Sequence, residues 1–226
     1  MNPAVPWMDW SAAALSLRLA LVGVALLAPL GIALAWPLAY GRFRGKVALE
    51  AALLMPLVLP PTVLGFYLLQ GFGPRSPLGR VWEAVTGGTL VFSFSGLLLA
   101  SLLINLPFFL QPLIASLGSV DRRLLEASAT LGHGRISTYL RVALPLSWRG
   151  LLAGAILAFA HAIGEFGVVL MVGGNLPGRT RTLSIALFDQ VQAFEMEAAH
   201  RTAFALLSFA FLVLLSTAWL RSREPR

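Results

Sequence analysis

Five apolar stretches, each long enough to cross a bilayer, constrain this chain more than any other feature. A spanning helix needs about 20 mostly apolar residues, and windows near residues 13–36, 47–70, 89–114, 147–171 and 202–220 supply them. Over its 226 residues the chain is 58% hydrophobic and 12% charged, whereas a soluble domain is about 45–50% apolar and roughly 25% charged. The reading is an all-α membrane protein, a polytopic bundle of five transmembrane helices forming one domain over 1–226. The apolar run of the first window is too long for a secretory signal, and its only early charge, Asp9, is acidic where a leader is basic. That helix is expected to remain. With no cysteine, disulfides, thiolate metal sites and a cysteine nucleophile are excluded.

The formal charge of +7 is distributed between alternate loops. Arg42, Arg44, Lys46, Arg122, Arg123, Arg135, Arg141, Arg149, Arg221, Arg223 and Arg226 fall on one side, and Arg75, Arg80, Arg179, Arg181 and Arg201 on the other. The positive-inside rule places the richer set in the cytoplasm, hence the N-terminus outside and the C-terminus inside. Orientation in a cytoplasmic membrane accounts for this basicity without nucleic acid.

Trp7, Trp10 and Trp36 bracket the first span, where indoles suit the membrane boundary, and Arg18 snorkels from its outer half. Pro56, Pro60 and Pro61 interrupt the second span and remove amide donors. Broken backbone at membrane depth is tolerated only when buried in protein or lining a cavity. Pro60, Pro61 and Thr62 are therefore candidates for lining a translocation pathway, with packing alone as the alternative. Asn105 in the third span either joins helices or faces a solute. The fourth span opens with Gly150 and Gly154, a spacing that permits close helix approach, and ends with His161 and Glu165 on one helical face. Counted from Arg149 at about 1.5 Å per residue, Glu165 sits near the outer boundary, as a hydrated or helix-paired carboxylate. Between 172 and 201, Leu183, Ala186, Leu187, Gln190 and Val191 follow helical spacing, predicting a short amphipathic helix that leaves a sixth, re-entrant element open.

The polar segment 121–145 separates the third and fourth spans. Asp121 is a helix N-cap, Leu124, Leu125, Ser128 and Leu131 share a face, and Gly132 stops that helix. After Gly134 a second helix presents Ile136, Tyr139, Leu140, Ala143 and Leu144 on one face and Arg135, Thr138 and Arg141 on the other, ending at Pro145. Two short helices hinged at glycine cannot bury these apolar faces within so small a chain, so they require a partner's groove.

Glu126, Ala127 and Ser128, then Gly132, then Val142 through Pro145 reproduce the spacing of the EAA–G–(I/V)xLP motif, with Ser128 for the second alanine and Val142 for isoleucine. The chain thereby resembles permease subunits of bacterial ABC importers that work with a solute-binding protein. Leu53 through Leu69 and Gly174 through Ser184 are similar to the molybdate branch, and Ile163 through Gly167 to the wider molybdate and sulfate group. The resemblance implies the type I importer permease fold in the inner membrane and a homodimer of permeases. It also implies two ABC ATPase subunits that hold ATP and Mg, and a periplasmic or lipid-anchored oxyanion-binding protein. Glu126, Gly132, Leu144 and Pro145 would then couple the chain to the ATPase, with Ala127 and Leu131 at the contact. The substrate would be molybdate, with tungstate as a close companion and sulfate or another oxyanion as alternatives.

A dianion crosses only a wet path lined by dipoles or compensating charge, and few such groups exist here. Pro60, Pro61, Thr62 and Asn105 are the pathway candidates, while Glu165, Arg179 and Arg181 mark the periplasmic mouth, and no tight midplane site is expected. Gly41 through Lys46 falls one residue short of a phosphate loop and has Val47 where Ser or Thr is needed. Neither a cofactor of its own nor a metal site is therefore expected, and the chain is no enzyme. An ion-coupled carrier would show intramembrane carboxylates and a repeated half. A membrane-embedded enzyme would have only His161 and Glu165 to work with.

Overall fold

The computed structural model describes residues 8–222, and every regular element among them is helical. Trp7, Arg223 and Arg226 lie outside the described residues. Three helices are long and apolar enough to span alone, and two bent pairs qualify as broken spans, giving five crossings if each pair is one.

Helix α1 (Trp10–Tyr40) starts where the Asp9 carboxylate accepts the Ala12 amide, closing one of the orphan donors of a helix start. Eight of its nine buried positions, Ala12, Ser16, Leu19, Gly23, Leu27, Gly31, Ala35 and Leu38, recur at three- and four-residue steps and form one continuous stripe, with Ala20 beside it. Arg18 lies with its guanidinium 4.6 Å from the centre of the Phe94 ring. The second candidate crossing pairs α2 (Lys46–Val58) with α3 (Pro61–Phe72), bent by 113°. Leu59 before Pro60 is extended, as sterics before a proline demand, and Pro61 restarts the chain at the first position of α3. The predicted kink is thus a full break at Pro60, while Pro56 is absorbed inside α2.

A helix absent from the sequence expectation, α4 (Pro77–Thr86), follows. Its signals were present: Ser76 caps the Gly79 amide, Pro77 opens it, and Gly87 closes it at φ +72°. The third span, α5 (Phe94–Gly118), starts later than expected because residues 90–93 are a lead-in in which Ser93 caps Gly96. Then come α6 (Arg122–Thr130), α7 (Arg135–Thr138), a π-helical turn (Tyr139–Ala143), α8 (Leu144–Leu146) and α9 (Trp148–Gly164). The expected fourth span is not continuous: α9 stops at Gly164 and α10 (Gly167–Gly173) follows after a break at Glu165 and Phe166. Helices α11 (Leu183–Gln192) and α12 (Met196–Ser222) complete the chain.

The core is the packing of α1, α5 and α9 around Leu27, Phe109, Leu113, Leu117 and Ala158. Glycines make it possible. A Cβ at Gly154 would lie 2.4 Å from the Phe109 carbonyl oxygen, and one at Gly150 would lie 2.6 Å from that of Pro112. The spacing of these two residues, weak as a sequence signal, is the α5–α9 seam. By contrast α2 contributes no buried residue, and apolar side chains along α12 such as Phe204, Phe211 and Leu214 stay exposed, as surfaces facing lipid or another subunit do.

Candidate functional site

The segment 121–146 folds as two short helices pinned to the end of the bundle. The Asp121 carboxylate accepts the Arg123 amide. At the other end of α6 the Gly132 amide bonds the Ala129 carbonyl and the His133 amide bonds Ser128, with Gly132 at φ +82°. This double bond pattern with a left-handed residue is the Schellman stop, so the predicted cap and stop both hold. Ser128 and Thr138 bond through their hydroxyls at 2.9 Å and join the two helices. Tyr139 donates to the Ile32 carbonyl and Tyr40 to that of Leu117, each at 2.7 Å, and Tyr139 packs 4.9 Å from the Trp36 ring. Tyr139 thus pins the prong to α1, and Tyr40 ties α1 to α5 at the same end of the bundle.

The second half departs from the expected face. Thr138, placed on the polar side, is buried, whereas Ile136 and Leu140, placed on the apolar side, are exposed. Thr138 is drawn inward by its hydroxyl bond to Ser128, and a π-helical turn at Tyr139–Ala143 follows, where the Leu144 amide reaches back to Tyr139. One extra residue in a turn rotates every later side chain by about 100° against a 3.6-residue register. Pro145 explains the turn, because in a regular α-helix its ring collides with the carbonyl four residues earlier. Pro145 consequently does not end the helix, which continues to Leu146 before bending by 73° into α9.

Leu124, Ala127, Leu131, Ile136 and Leu140 remain exposed beside Glu126, Leu131 at 78% and Ile136 at 71%. Leu125 and Leu144 instead turn inward against Tyr139 and Ala143. A cleft of about 470 Å³ between the prong and the end of α1, lined by Trp36, Arg42, Leu125 and His133 among others, gathers basic side chains at the same end.

The pathway candidates divide. Pro60, Pro61 and Thr62 are exposed, and the two helix breaks pack on each other, since a Cβ at Gly167 would lie 2.7 Å from Pro61 Cβ. Asn105 is 1% exposed and joins helices: its amide donates to the Ser101 carbonyl and hydroxyl, and its oxygen lies 3.0 Å from His161 Nδ1. Glu165, expected as a hydrated or helix-paired carboxylate, is the helix-paired one, 8% exposed at the break. One of its oxygens accepts the Val168 amide at the start of α10, and the other lies 3.8 Å from His161 Nε2. The carboxylate stands at the end of α9, one turn beyond His161, which touches Asn105 one residue from the centre of α5.

At the opposite end Arg179 is exposed, but Arg181 does not carry a free charge. Its guanidinium donates to Asn175, pairs with Asp189 at 3.0 Å and lies 3.9 Å from Asp9. Helix α11 is where spacing predicted it, but it is anchored by its first turn: Leu183 to Ala186 are buried, the Leu183 amide donates to Ser16, and Val191 is exposed. Burial opposes the Asp9 carboxylate, yet bonds from the Ala12 amide and Ser11 hydroxyl and the Arg181 charge outweigh it and hold its pKa below the usual 3.8. A depressed carboxylate contributes stability above its unfolded pKa and loses it as pH falls through the folded value. Asp9→Asn keeps a capping oxygen and removes the charge, so it should lower the thermal midpoint by about 2 °C at pH 7. The difference from wild type should shrink as pH falls below 3.8 and through the folded value, which thermal scans across that range check.

Residues 28–226 match the family model described as "Binding-protein-dependent transport system inner membrane component". The chain is 46% identical over 208 residues to the "Molybdenum transport system permease protein ModB" of Azotobacter vinelandii, covering 92% of each. It is 36% identical to the protein of that name from Escherichia coli K12, covering 96% of each. "Sulfate permease 2, chloroplastic" of Chlamydomonas reinhardtii is 35% identical over 92% of this chain and 55% of its own length. In structure the chain is similar to a bacterial ABC transporter involved in import of the acidic polysaccharide alginate, with TM-score 0.72 and 13% identity over 95% of this chain and 79% of that one. The likeness in fold agrees with the helical bundle read from the sequence.

Proposed function

The chain belongs to the family of binding-protein-dependent transport system inner membrane components, and from that premise we propose that it is the permease of an ATP-driven importer whose solute is molybdate. The observation that carries this reading is 46% identity to a molybdenum permease along 92% of both chains. It is a multi-pass inner-membrane subunit and not an enzyme. A sulfate permease is the second reading, favoured by the relative of that name, which is less identical and is matched over only 55% of its own length.

Two copies of the chain form the pathway at their interface, and the exposed α2, α3 and α12 faces are the surfaces available for lipid and for that contact. ATP and Mg belong to two partner ATPases. Each seats a prong, and Glu126, Ala127, Leu131 and Gly132 are the residues offered to it, while Leu144 and Pro145 fix its root. An oxyanion-binding protein delivers the solute on the side of the Asp9–Arg181 end, and the basic prong end faces the cytoplasm, as the arginine distribution requires. Of the two arginines expected at the periplasmic mouth, Arg179 is open to solvent, whereas Arg181 is paired with its acidic partners.

Co-expression with a partner ATPase and reconstitution into liposomes tests the reading. Molybdate-loaded binding protein should stimulate ATP hydrolysis and drive molybdate inward, with sulfate a poor competitor. Uptake that follows an ion gradient without ATP would overturn the importer, and equal competition by sulfate would overturn molybdate as its particular cargo.

A further inference from the structure

Helix α1 is 31 residues long, about 46 Å at a rise of roughly 1.5 Å per residue, against a hydrocarbon core of about 30 Å. With Trp10 and Trp36 near its two ends, Tyr40 at its last position stands in the headgroup layer. Two clefts open there and share a wall of Tyr40, Gly41, Arg42 and Leu125. The first, between the prong and α1, adds Arg135. The second, of about 430 Å³, adds Lys46, Arg122 and Glu126. Among the described residues no ion pair involves Arg42, Arg122 or Arg135, whereas Lys46 pairs with Glu50 at 3.7 Å. Glu126 is the one carboxylate lining either cleft, so the three arginines leave a surplus of positive charge.

The positive-inside rule accounts for the number of these cations but not for what adjoins them. One residue from Ala39 and one turn from Lys46, both in the second cleft, Leu38 and Glu50 open an apolar groove of about 300 Å³. Leu53, Leu54, Leu110 and Ala115 wall it, and it runs between α1, α2 and α5 as far as Pro107, one residue from the centre of α5. A cationic cleft at headgroup level that continues as an apolar groove toward mid-membrane has the polarity profile of a phospholipid. Neither a soluble oxyanion nor an acidic protein segment would fill both halves. We propose that clefts and groove form one site for an anionic phospholipid of the cytoplasmic leaflet, with its phosphate at Arg42 and Arg122 and an acyl chain along the groove. Guanidinium groups suit a phosphate because they donate paired, parallel hydrogen bonds to it, and basic pockets between spans on this side of a membrane take anionic headgroups. The acyl chain supplies packing to α2, which buries none of its residues within its own chain. The inference depends on the membrane orientation and is independent of the cargo.

The test counts phospholipid retained per chain by native mass spectrometry. It uses the full chain in detergent, alone and in complex with its ATPase, with mixed micelles of phosphatidylglycerol or phosphatidylcholine. Phosphatidylglycerol should be held in both preparations, and phosphatidylcholine, which has no net charge, about tenfold less. Arg42→Gln combined with Arg122→Gln, both at exposed positions, should lower retention about thirtyfold. R44Q removes an exposed arginine of the same loop that lines neither clefts nor groove, and should stay within about twofold of wild type. Ala115→Trp fills the groove from an exposed position and should lower retention with every arginine in place. Unchanged retention in the double variant, equal retention of the two lipids, or equal loss in R44Q overturns the proposal, the last two being what general attraction to a basic end produces. Displacement of the lipid by inorganic phosphate or molybdate would assign the cleft to a soluble oxyanion, and its loss on ATPase binding would assign it to an acidic ATPase surface; either result overturns the proposal. If A115W fails to assemble, the arginine variants decide alone.

Discussion

Gly154→Val should leave little assembled permease in the membrane. Its Cβ would lie 2.4 Å from the Phe109 carbonyl oxygen and 3.2 Å from the carbonyl carbon, and neither can rotate aside because both belong to the backbone of α5. Relief requires the helices to separate, which strips contact from Phe109, Leu113 and Ala158 together. Overpacking of a tight core costs about 1–3 kcal/mol, and for a chain of this length each kcal/mol is worth about 2–4 °C. Steric relief by backbone movement lies at the high end, so a fall of about 5 °C or more in the thermal midpoint is expected, with a matching loss of solubilised protein. Gly71→Ala is the control, since nothing lies within 4 Å of its added carbon. Equal behaviour of the two variants in thermal scans would show that the α5–α9 seam is not closely packed.

The parts of this fold that were legible in the sequence are those that local chemistry decides. Spans were set by the length of apolar runs, and the cap at Asp121 and stop at Gly132 by side-chain and backbone preferences within four residues. Pro60 and Pro61 announced a disruption, though its size depended on how α3 packs against α10. The break at Glu165 had no proline to announce it: the chain leaves the helix there because a carboxylate caps α10 from within the membrane. The contact of His161 with Asn105 joins residues 56 positions apart, and no periodicity reveals such a pairing. For the same reason Arg181 looked like a free cation until Asp9 and Asp189 were placed beside it. Thr138 is buried because its hydroxyl bonds Ser128, ten residues earlier on the neighbouring helix, a pairing that the periodicity of one helix does not show.

The hinge of the prong offers the sharpest test of how ATP hydrolysis would be transmitted. Gly132 sits at φ +82° with open space around its missing Cβ, so a substitution there acts through backbone preference and not through collision. Left-handed backbone costs an ordinary L-residue about 1–2 kcal/mol, more for a β-branched one, while asparagine tolerates it. Gly132→Val should therefore re-aim α7 relative to α6, strain the Ser128–Thr138 bond and displace Leu131 and Ile136 from their shared exposed surface. Because the root of the prong is held separately by Tyr139 and the adjoining ends of α1 and α5 by Tyr40, the bundle itself should remain folded. The expected result is a fall of about tenfold in ATP hydrolysis stimulated by loaded binding protein, with G132N retaining most of the stimulation. Wild-type stimulation in G132V would show that hinge geometry does not matter to coupling. Equal failure of both variants would mean that the partner requires the absence of a side chain at 132, a demand for close approach in place of one for a left-handed turn.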